Sequence, residues 1–175
     1  VQSVARDVTE RRAQEQRVAE LSRDRDRALH QLRLQFDNLS QGCIITTPDL
    51  AVLQVNPAFE RMFGWSAADL AGRELLEVLL PPAARPYVGV RLARLRNGDG
   101  PITEEHPAVT AAGKRVSCRI TYSPLLDEGG QVAGLMALCE DVTEQRAMQR
   151  ALQERTAMLQ ALAEAAPVGI LQVDV

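Results

Sequence analysis

Residues 111–146 read AAGKRVSCRITYSPLLDEGGQVAGLMALCEDVTEQR and predict two long strands followed by a helix. Alternate side chains of a strand point to the same face, so the first strand, 115–126, has one apolar face. That face carries Val116, Cys118, Ile120 and Tyr122. The turn letters DEGG lead into a second strand, 131–142, which is apolar on both faces and therefore needs cover on both sides. We predict a buried antiparallel hairpin that runs directly into a helix.

The residues before this hairpin predict two strands, several short helices and a third strand. The β-branched runs 42–49 and 51–56 flank a Pro-Asp turn, and a further strand is predicted at 101–110. Between them, Asn56-Pro57 marks a helix start. A longer helix at 83–96 places four apolar residues near helical spacing, namely Tyr87, Val90, Leu92 and Leu95. The order predicts an α+β domain with an antiparallel sheet and its helices on one face.

The phrase Asp-Val-Thr occurs twice, at Asp7 and at Asp141, and each copy precedes a charged run that favours a helix. From Asp7 to Gly42 the chain runs 35 residues, and from Asp141 to Gly169 it runs 28. Both distances are multiples of seven, so a coiled-coil seam would keep the same phase in both linkers. We therefore expect a tandem unit taken from a longer array, in which a strand ends in Asp-Val-Thr, a helix follows, and a new domain begins.

The two linkers share one heptad phase. Counted from Asp141, the seam positions are Met148, Leu152, Arg155, Leu159, Leu162 and Ala166. The same offsets from Asp7 select Gln14, Val18, Leu21, Arg25, Ala28 and Leu32. Polar residues interrupt both seams, which predicts a marginal coiled coil that can shift between two packings. An ordinary amphipathic helix lying on its own domain remains the alternative.

Composition excludes several functional classes. A net charge of −3 offers no basic surface for nucleic acid. No apolar run is long enough to cross a bilayer, so we expect no direct membrane contact from these residues, although the parent protein could be anchored elsewhere. Three widely spaced cysteines, Cys43, Cys118 and Cys139, favour buried thiols in a reducing cytoplasm over a disulfide or a zinc site.

Four stretches, in chain order, resemble a PAS sensory domain. They are GCIITTPD at 42–49, VNPAFERMFGWS at 55–66, LAGRELLEVLLPP at 70–82, and residues 111–146, quoted above. The resemblance covers roughly residues 36–146. It implies a five-stranded antiparallel sheet, a cavity between that sheet and the short helices, and long flanking helices that pass signals outward. It also implies a homodimer formed through the flanking helices and the sheet, with adjacent PAS domains in the same chain.

The resemblance divides the chain into five parts. They are a tail of a preceding PAS domain at 1–8, a signalling helix at 9–38, the PAS domain at 39–143, a second signalling helix at 144–166, and the start of another PAS domain at 167–175. The family's Asp-x-Thr motif, which ties the last strand to the exit helix, falls on Asp141 and Thr143 and again on Asp7 and Thr9. From the residues alone, each Asp is also simply a good helix cap.

The sequence predicts no cofactor and no metal site. The resemblance implies that a flavin-binding PAS domain has a cysteine in the segment where this chain has GRELLEVL, 72–79, which contains none. It also implies that a haem-binding PAS domain has a histidine on the helix at 83–96, and this helix has none. The two histidines are His30, in a linker, and His106, which we expect to be an ordinary exposed residue. A small apolar ligand, or a pocket closed by its own side chains, fits better. Candidate pocket residues are Phe59, Phe63, Trp65, Tyr87, Ile120 and Leu135.

The sequence supports two candidate functions, and a third that differs from them only because the domain undergoes no change of state. The first is a non-catalytic relay that transmits signals through Met148, Leu152, Leu159 and their heptad partners to a histidine kinase or a cyclic-dinucleotide enzyme. The second is a receptor that binds a small molecule in its own cavity. The third is a dimerisation spacer. No Ser-His-Asp or metal-ligand cluster can be assembled from two histidines, so we predict no enzymatic activity for the chain itself.

Overall fold

The computed structural model describes the backbone of residues 2–97 and 99–165 and the side chains of residues 14–97 and 99–164. Five strands and six helices make up this part of the chain. The strands are β1 Gly42–Thr46, β2 Val52–Val55, β3 Ile102–Val109, β4 Arg115–Leu126 and β5 Val132–Asp141. The helices are α1 Gln2–Asp37, α2 Pro57–Phe63, α3 Ala67–Leu70, α4 Leu75–Leu79, α5 Arg85–Arg96 and α6 Thr143–Ala165. The α+β fold with long flanking helices is confirmed.

The strands form one antiparallel sheet in the order β2-β1-β5-β4-β3. The first and last strands of the domain, β1 and β5, are neighbours, and Gly42 pairs with Cys139. Because β1 starts where β5 ends, α1 and α6 join the sheet at the same end of this central pair. The long hairpin has the predicted limits, with β4 at Arg115–Leu126 and β5 within a residue of its predicted ends.

The core fills the space between the inner face of the sheet and helices α2 to α5. The predicted inner face of β4 is confirmed, since Val116, Cys118, Ile120 and Tyr122 are all buried. Local capping fixes both ends of α2, which lies above the sheet. Asn56 Oδ1 accepts from Phe59 N–H at the start of α2, and Gly64 ends the helix in the left-handed conformation that glycine adopts without strain.

Two local predictions differ from the structure. The backbone is helical from Gln2, so α1 runs through the Asp7 repeat, where we predicted a strand end at 1–8 and a helix start. A strand needs a partner strand, and every strand of the described sheet lies between Gly42 and Asp141. In α5, the buried residues are Val88, Leu92 and Leu95, whereas Tyr87 and Val90 face solvent. The predicted domain at 167–175 and seam position Ala166 lie outside the described residues.

Candidate functional site: the junction of the sheet and the exit helix

A single residue, Val142, separates the end of β5 from the start of the exit helix α6, and two hydrogen bonds hold this step from strand to helix against β4. Val142 N–H donates to Ser117 O at 2.9 Å, and Ser117 N–H donates to Thr143 Oγ1 at 2.9 Å. Val142 is 1% exposed, so the step is anchored in the core as well as along the strand. The first turn of α6 is thereby fixed to Ser117, near the start of β4.

Asp141 and Thr143 act together at this step. Thr143 N–H donates to Asp141 Oδ1 at 2.9 Å, so the carboxylate does cap an early backbone amide. Glu144 follows Asp141 at the spacing of a capping box, but it does not complete one, and no contact of its side chain is found in the described residues. The reason is that α6 begins at Thr143, so Val142 occupies the N-cap position, and Asp141 lies one residue earlier, where it is still paired with Cys118 in the sheet. The side chains of Asp7 and Thr9 lie outside the described part of the chain.

A row of alternating charges crosses the outer face of the sheet and ends on α6. Glu105 of β3 pairs with Arg119 of β4, which in turn pairs with Glu140 of β5. Arg119 donates from Nε to Glu105 Oε1 at 3.0 Å and from its first terminal nitrogen to Glu140 Oε2 at 3.1 Å. Arg146, one turn into α6, donates from Nε to Glu105 Oε2 at 2.6 Å. Glu105 therefore joins the edge strand, the central strands and the exit helix.

The charges of this row influence one another. The hydrogen bonds from Arg146 and then Arg119 hold the pKa of Glu105 below its ordinary value. The hydrogen bond to Glu105 raises the pKa of Arg119. The Glu105 side chain is 27% exposed and that of Arg146 is 42% exposed, so water and salt only partly screen the pair. The Glu105 carboxylate therefore stays charged near neutral pH, and the junction is held together in that state.

The sequence reading did not single out Glu105, Ser117, Arg119 or Arg146 for this site. Part of the signal was available, because the sequence predicts β3 and β4 as adjacent strands, and their observed register places Glu105 directly opposite Arg119. The contribution of Arg146 could not be found that way. It depends on the direction in which α6 leaves the sheet, which no local pattern specifies.

Asn56 forms the matching junction on the N-terminal side. It is fully buried, and its Oδ1 accepts from Cys43 N–H at 2.8 Å as well as from Phe59 N–H. Its Nδ2 donates to Gln41 O at 3.0 Å and to Phe36 O at 3.3 Å. One side chain therefore links the end of α1, the start of β1 and the first turn of α2. The sequence predicted only the helix cap.

The predicted seam residues of the described linkers lie on exposed helix surfaces. Met148, Leu152 and Leu159 of α6 are 70%, 67% and 59% exposed. In α1, Val18, Leu21 and Leu32 are similarly exposed. Large apolar side chains repeated at heptad spacing on an uncovered helix are suited to packing against another helix.

The predicted pocket residues do not all come together. Phe59, Phe63, Ile120 and Leu135 are fully buried within one packed cluster. Trp65 is partly buried at the margin of that cluster. Tyr87 faces solvent at 62% exposure, so it does not line the space above the sheet. The side chains of the buried four pack against one another and against their neighbours.

His106 differs from the exposed residue that we expected. It shares the inner face of β3 with Glu104, and its Nε2 lies 3.0 Å from the Tyr122 hydroxyl. Burial lowers the pKa of His106 and raises that of Tyr122 well above its ordinary value. Glu104 is ion-paired with Arg91 of α5 at 2.5 Å. These contacts form a polar patch beneath α5, and they follow from the strand register of β3.

All three cysteines are free and buried. Desolvation raises the pKa of Cys43 to about 11, and the neighbouring Cys118 together with burial raises that of Cys139. Thiols in this state react slowly because the thiolate is the nucleophile. Across residues 14–97 and 99–164, whose side chains the structure describes, no group of three or more His, Cys, Asp or Glu side chains is arranged to hold a metal ion. In the same ranges, none of the helices has the length and apolar character that spanning a bilayer requires.

Comparison with known proteins places this geometry in a family. The sequence profile of a family described as "PAS fold" matches residues 36–147. Sensor histidine kinase TmoS of Ectopseudomonas mendocina is 26% identical over 135 residues, covering 77% of this chain and 14% of that protein. The methanogenesis regulatory histidine kinase FilI of Methanothrix harundinacea is 29% identical over 137 residues, covering 78% of this chain and 15% of the relative.

A solved structure agrees on the fold. The crystal structure of the PAS domain of a protein from Colwellia psychrerythraea superposes with a TM-score of 0.62 at 19% identity, covering 67% of this chain and 98% of that one. At this level of identity the similarity concerns the fold alone. The chain spans only about 14–15% of the length of the two kinases, so their activities belong to much longer proteins.

Proposed function

Since the chain belongs to the PAS fold family and is related to sensor histidine kinases, we propose that it is a relay module within a signalling protein. In this role a change of state in the PAS sheet, or in a neighbouring domain, alters how α6 packs against a second copy of the chain. An effector elsewhere in the same protein, a histidine kinase or a cyclic-dinucleotide enzyme, responds to that packing. The relay requires no chemical step in this chain, and we place it in the cytoplasm, where its three thiols would remain reduced.

The observation that carries the proposal is the way α6 is attached. Its first turn is bonded to β4 through Thr143 and to the edge strand β3 through Arg146, while its later apolar residues are exposed. A shift of β3 or β4 must therefore move the start of the helix or break these bonds. Interfaces with two alternative packings amplify such small shifts. The interrupted seams of α1 and α6 are suited to two packings of similar energy.

A receptor function is the second candidate. The buried residues Phe59, Phe63, Ile120 and Leu135 belong to one packed cluster, which favours a closed core over a wide ligand cavity. Trp65 lies at the margin of this cluster and lines a surface groove. A receptor and a relay are compatible, because occupancy would be one way to change the state of the sheet.

Spin labelling tests the relay directly. A nitroxide on Gln153→Cys, one residue from the apolar stripe, would be the one reactive label, since the three native thiols are 0% exposed. Pulsed dipolar spectroscopy then measures the label-to-label distance in the dimer. We expect Glu105→Gln, which weakens the link to Arg146, to shift that distance by about 1–2 Å or to broaden its distribution.

The matched control is Glu144→Gln. Like Glu105→Gln, it removes one negative charge, here from the turn of α6 that carries Arg146, but it breaks no contact seen in the described residues. Its distance distribution should match that of the parent chain. Equal distributions for Glu105→Gln and Glu144→Gln would contradict the relay, because the helix would then pack independently of its junction. A sample with no dipolar signal at all would contradict the dimer.

A further inference from the structure

His106 of the edge strand β3 contacts Tyr122 of the neighbouring strand β4 on the inner face of the sheet. Its Nε2 lies 3.0 Å from the Tyr122 hydroxyl, and the two ring planes are 19° apart. Tyr122 is 1% exposed, whereas His106 is only partly buried. Within residues 14–97 and 99–164, the Tyr122 hydroxyl has no second hydrogen-bond partner. The buried hydroxyl therefore depends on the imidazole.

The hydrogen-bond partners of His106 fix the position of its hydrogen. Nδ1 lies 3.4 Å from Pro107 O, and a carbonyl oxygen can only accept, so Nδ1 carries the hydrogen. Nε2 is then the bare nitrogen of a neutral ring, and it accepts the hydrogen of the Tyr122 hydroxyl. Every polar atom of the contact has a partner while the ring is neutral.

The surroundings of the contact do not favour a positive charge on His106. The nearby titratable and charged groups are Glu104 and Glu105 of β3, Cys118 and Tyr122 of β4, Cys139 of β5, Arg91 of α5, and Arg146 and Arg150 of α6. Both carboxylates are already paired with arginines, so neither is free to neutralise a charged imidazole. Burial outweighs the attraction of Glu104 and lowers the pKa of His106.

A second proton on the imidazole would break the contact. The proton comes from solvent and binds Nε2, which then becomes a donor and no longer accepts from Tyr122. The Tyr122 hydrogen is left without an acceptor inside the core, which is unfavourable. His106 also lines a surface groove of about 390 Å³, into which a charged ring can turn toward water. The ring therefore has a reason to leave Tyr122 and a place to go.

We propose that the contact between His106 and Tyr122 stabilises the pairing of β3 with β4 at neutral pH and is released by mild acidification. The released strand segment includes Glu105, which holds the exit helix through Arg146. Acidification therefore acts on the attachment of α6 as well as on the edge of the sheet. The effect on α6 rests on the proposed relay, whereas the release of β3 does not.

Imidazole NMR of the full chain tests the position of the hydrogen and the titration. At about pH 8, the His106 nitrogen shifts should show hydrogen on Nδ1. On acidification the ring should titrate below pH 6.5, and Tyr122→Phe should move the midpoint upward, because the neutral ring loses its donor. His30→Gln assigns the resonances, since His30 is the other of the two histidines in the sequence. Hydrogen on Nε2 in the neutral ring, or equal midpoints in the parent and Tyr122→Phe, would overturn the proposal.

Hydrogen exchange of the β3 amides measures the release itself. Two conditions are compared, about pH 7 and about one pH unit below the measured His106 midpoint. Protection of β3 should fall about fivefold more in the parent than in His106→Gln, which cannot gain a charge. The intrinsic effect of pH on exchange cancels, because both chains are measured at the same two pH values.

Two controls accompany the exchange measurement. His30→Gln should behave like the parent, and the amides of β1, which lies on the far side of β5, should respond equally in all chains. Equal loss of β3 protection in the parent and His106→Gln would overturn the proposal, since the acid response would then come from other groups.

Spin labels separate the release of β3 from the relay. With the nitroxide on Gln153→Cys, the label-to-label distance of the parent should shift between the same two pH values, and that of His106→Gln should not. Released β3 with unchanged distances would retain the His106 contact and contradict the relay. Distances that shift equally with and without His106 would contradict the contact and retain the relay.

Discussion

Asn56 and Glu105 each connect more segments of the chain than a single residue usually does. Asn56 satisfies two backbone donors and two backbone carbonyls around the start of the domain. Glu105 accepts from one arginine of the sheet and one of the exit helix. At the scale of single residues, the joints between the helices and the sheet depend on these two side chains.

Replacing Asn56 by Ala should lower the free energy of unfolding by about 3 kcal/mol, because it removes a helix cap and leaves buried backbone groups unpaired. Asn56→Ser should cost less, since its hydroxyl can still cap Phe59 N–H but cannot reach Phe36 O. Urea unfolding of both variants measures the difference. Asn97→Ala, at an exposed helix end, is the control and should change stability by less than about 0.5 kcal/mol. A cost for Asn56→Ala as small as that of the control would contradict the role of the buried amide.

Acid should weaken the junction through Glu105. Its pKa is lowered in the folded chain, so the stability that it adds is fully present above its ordinary pKa of 4.5 and is lost as the pH falls through the folded value. Between about pH 6 and about pH 3, the thermal unfolding midpoint of the parent chain should therefore fall more than that of Glu105→Gln. Glu144→Gln should follow the parent. If Glu105→Gln and the parent gave parallel curves, the carboxylate would not be engaged in solution.

At the scale of elements, the accuracy of the predictions follows the range of the interactions that decide each feature. The strands β3, β4 and β5 were predicted to within a residue or two because Gly-containing turns and alternating side chains are local signals. The buried face of α5 was assigned partly wrong. Val88, Leu92 and Leu95 have helical spacing as regular as that of the predicted set, and only packing against α4 and β4 selects between them.

The exposed stripe of α6 gives a prediction at this scale. Leu152→Glu combined with Leu159→Glu should shift the chain toward monomer in sedimentation equilibrium, because it places repelling charges at two seam positions. The control, Gln153→Glu with Gln160→Glu, adds the same charges at the same spacing, one residue off the stripe. It should keep the association constant within about threefold of the parent. Equal dissociation of both double variants would show that charge alone separates the subunits and would remove the seam from the interface.

At the scale of the whole molecule, the sequence identified the fold family but not the connections between distant parts. The order of strands and helices followed from local patterns and is confirmed by the structure, and the family profile confirms the family. The charge row from Glu140 through Arg119 and Glu105 to Arg146 joins four elements, and it depends on strand register and on the path of α6 together.

The two edges of the sheet determine how copies of this domain can meet. Beyond β2, the backbone of residues 72–74 occupies the free edge, since Val52 N–H donates to Arg73 O and Gly72 N–H to Val52 O. On the other side, β3 carries Pro107, which has no N–H to offer, and the charged Glu105. Neither margin is a template for an added strand, so neighbouring copies are protected from fibril-like polymerisation.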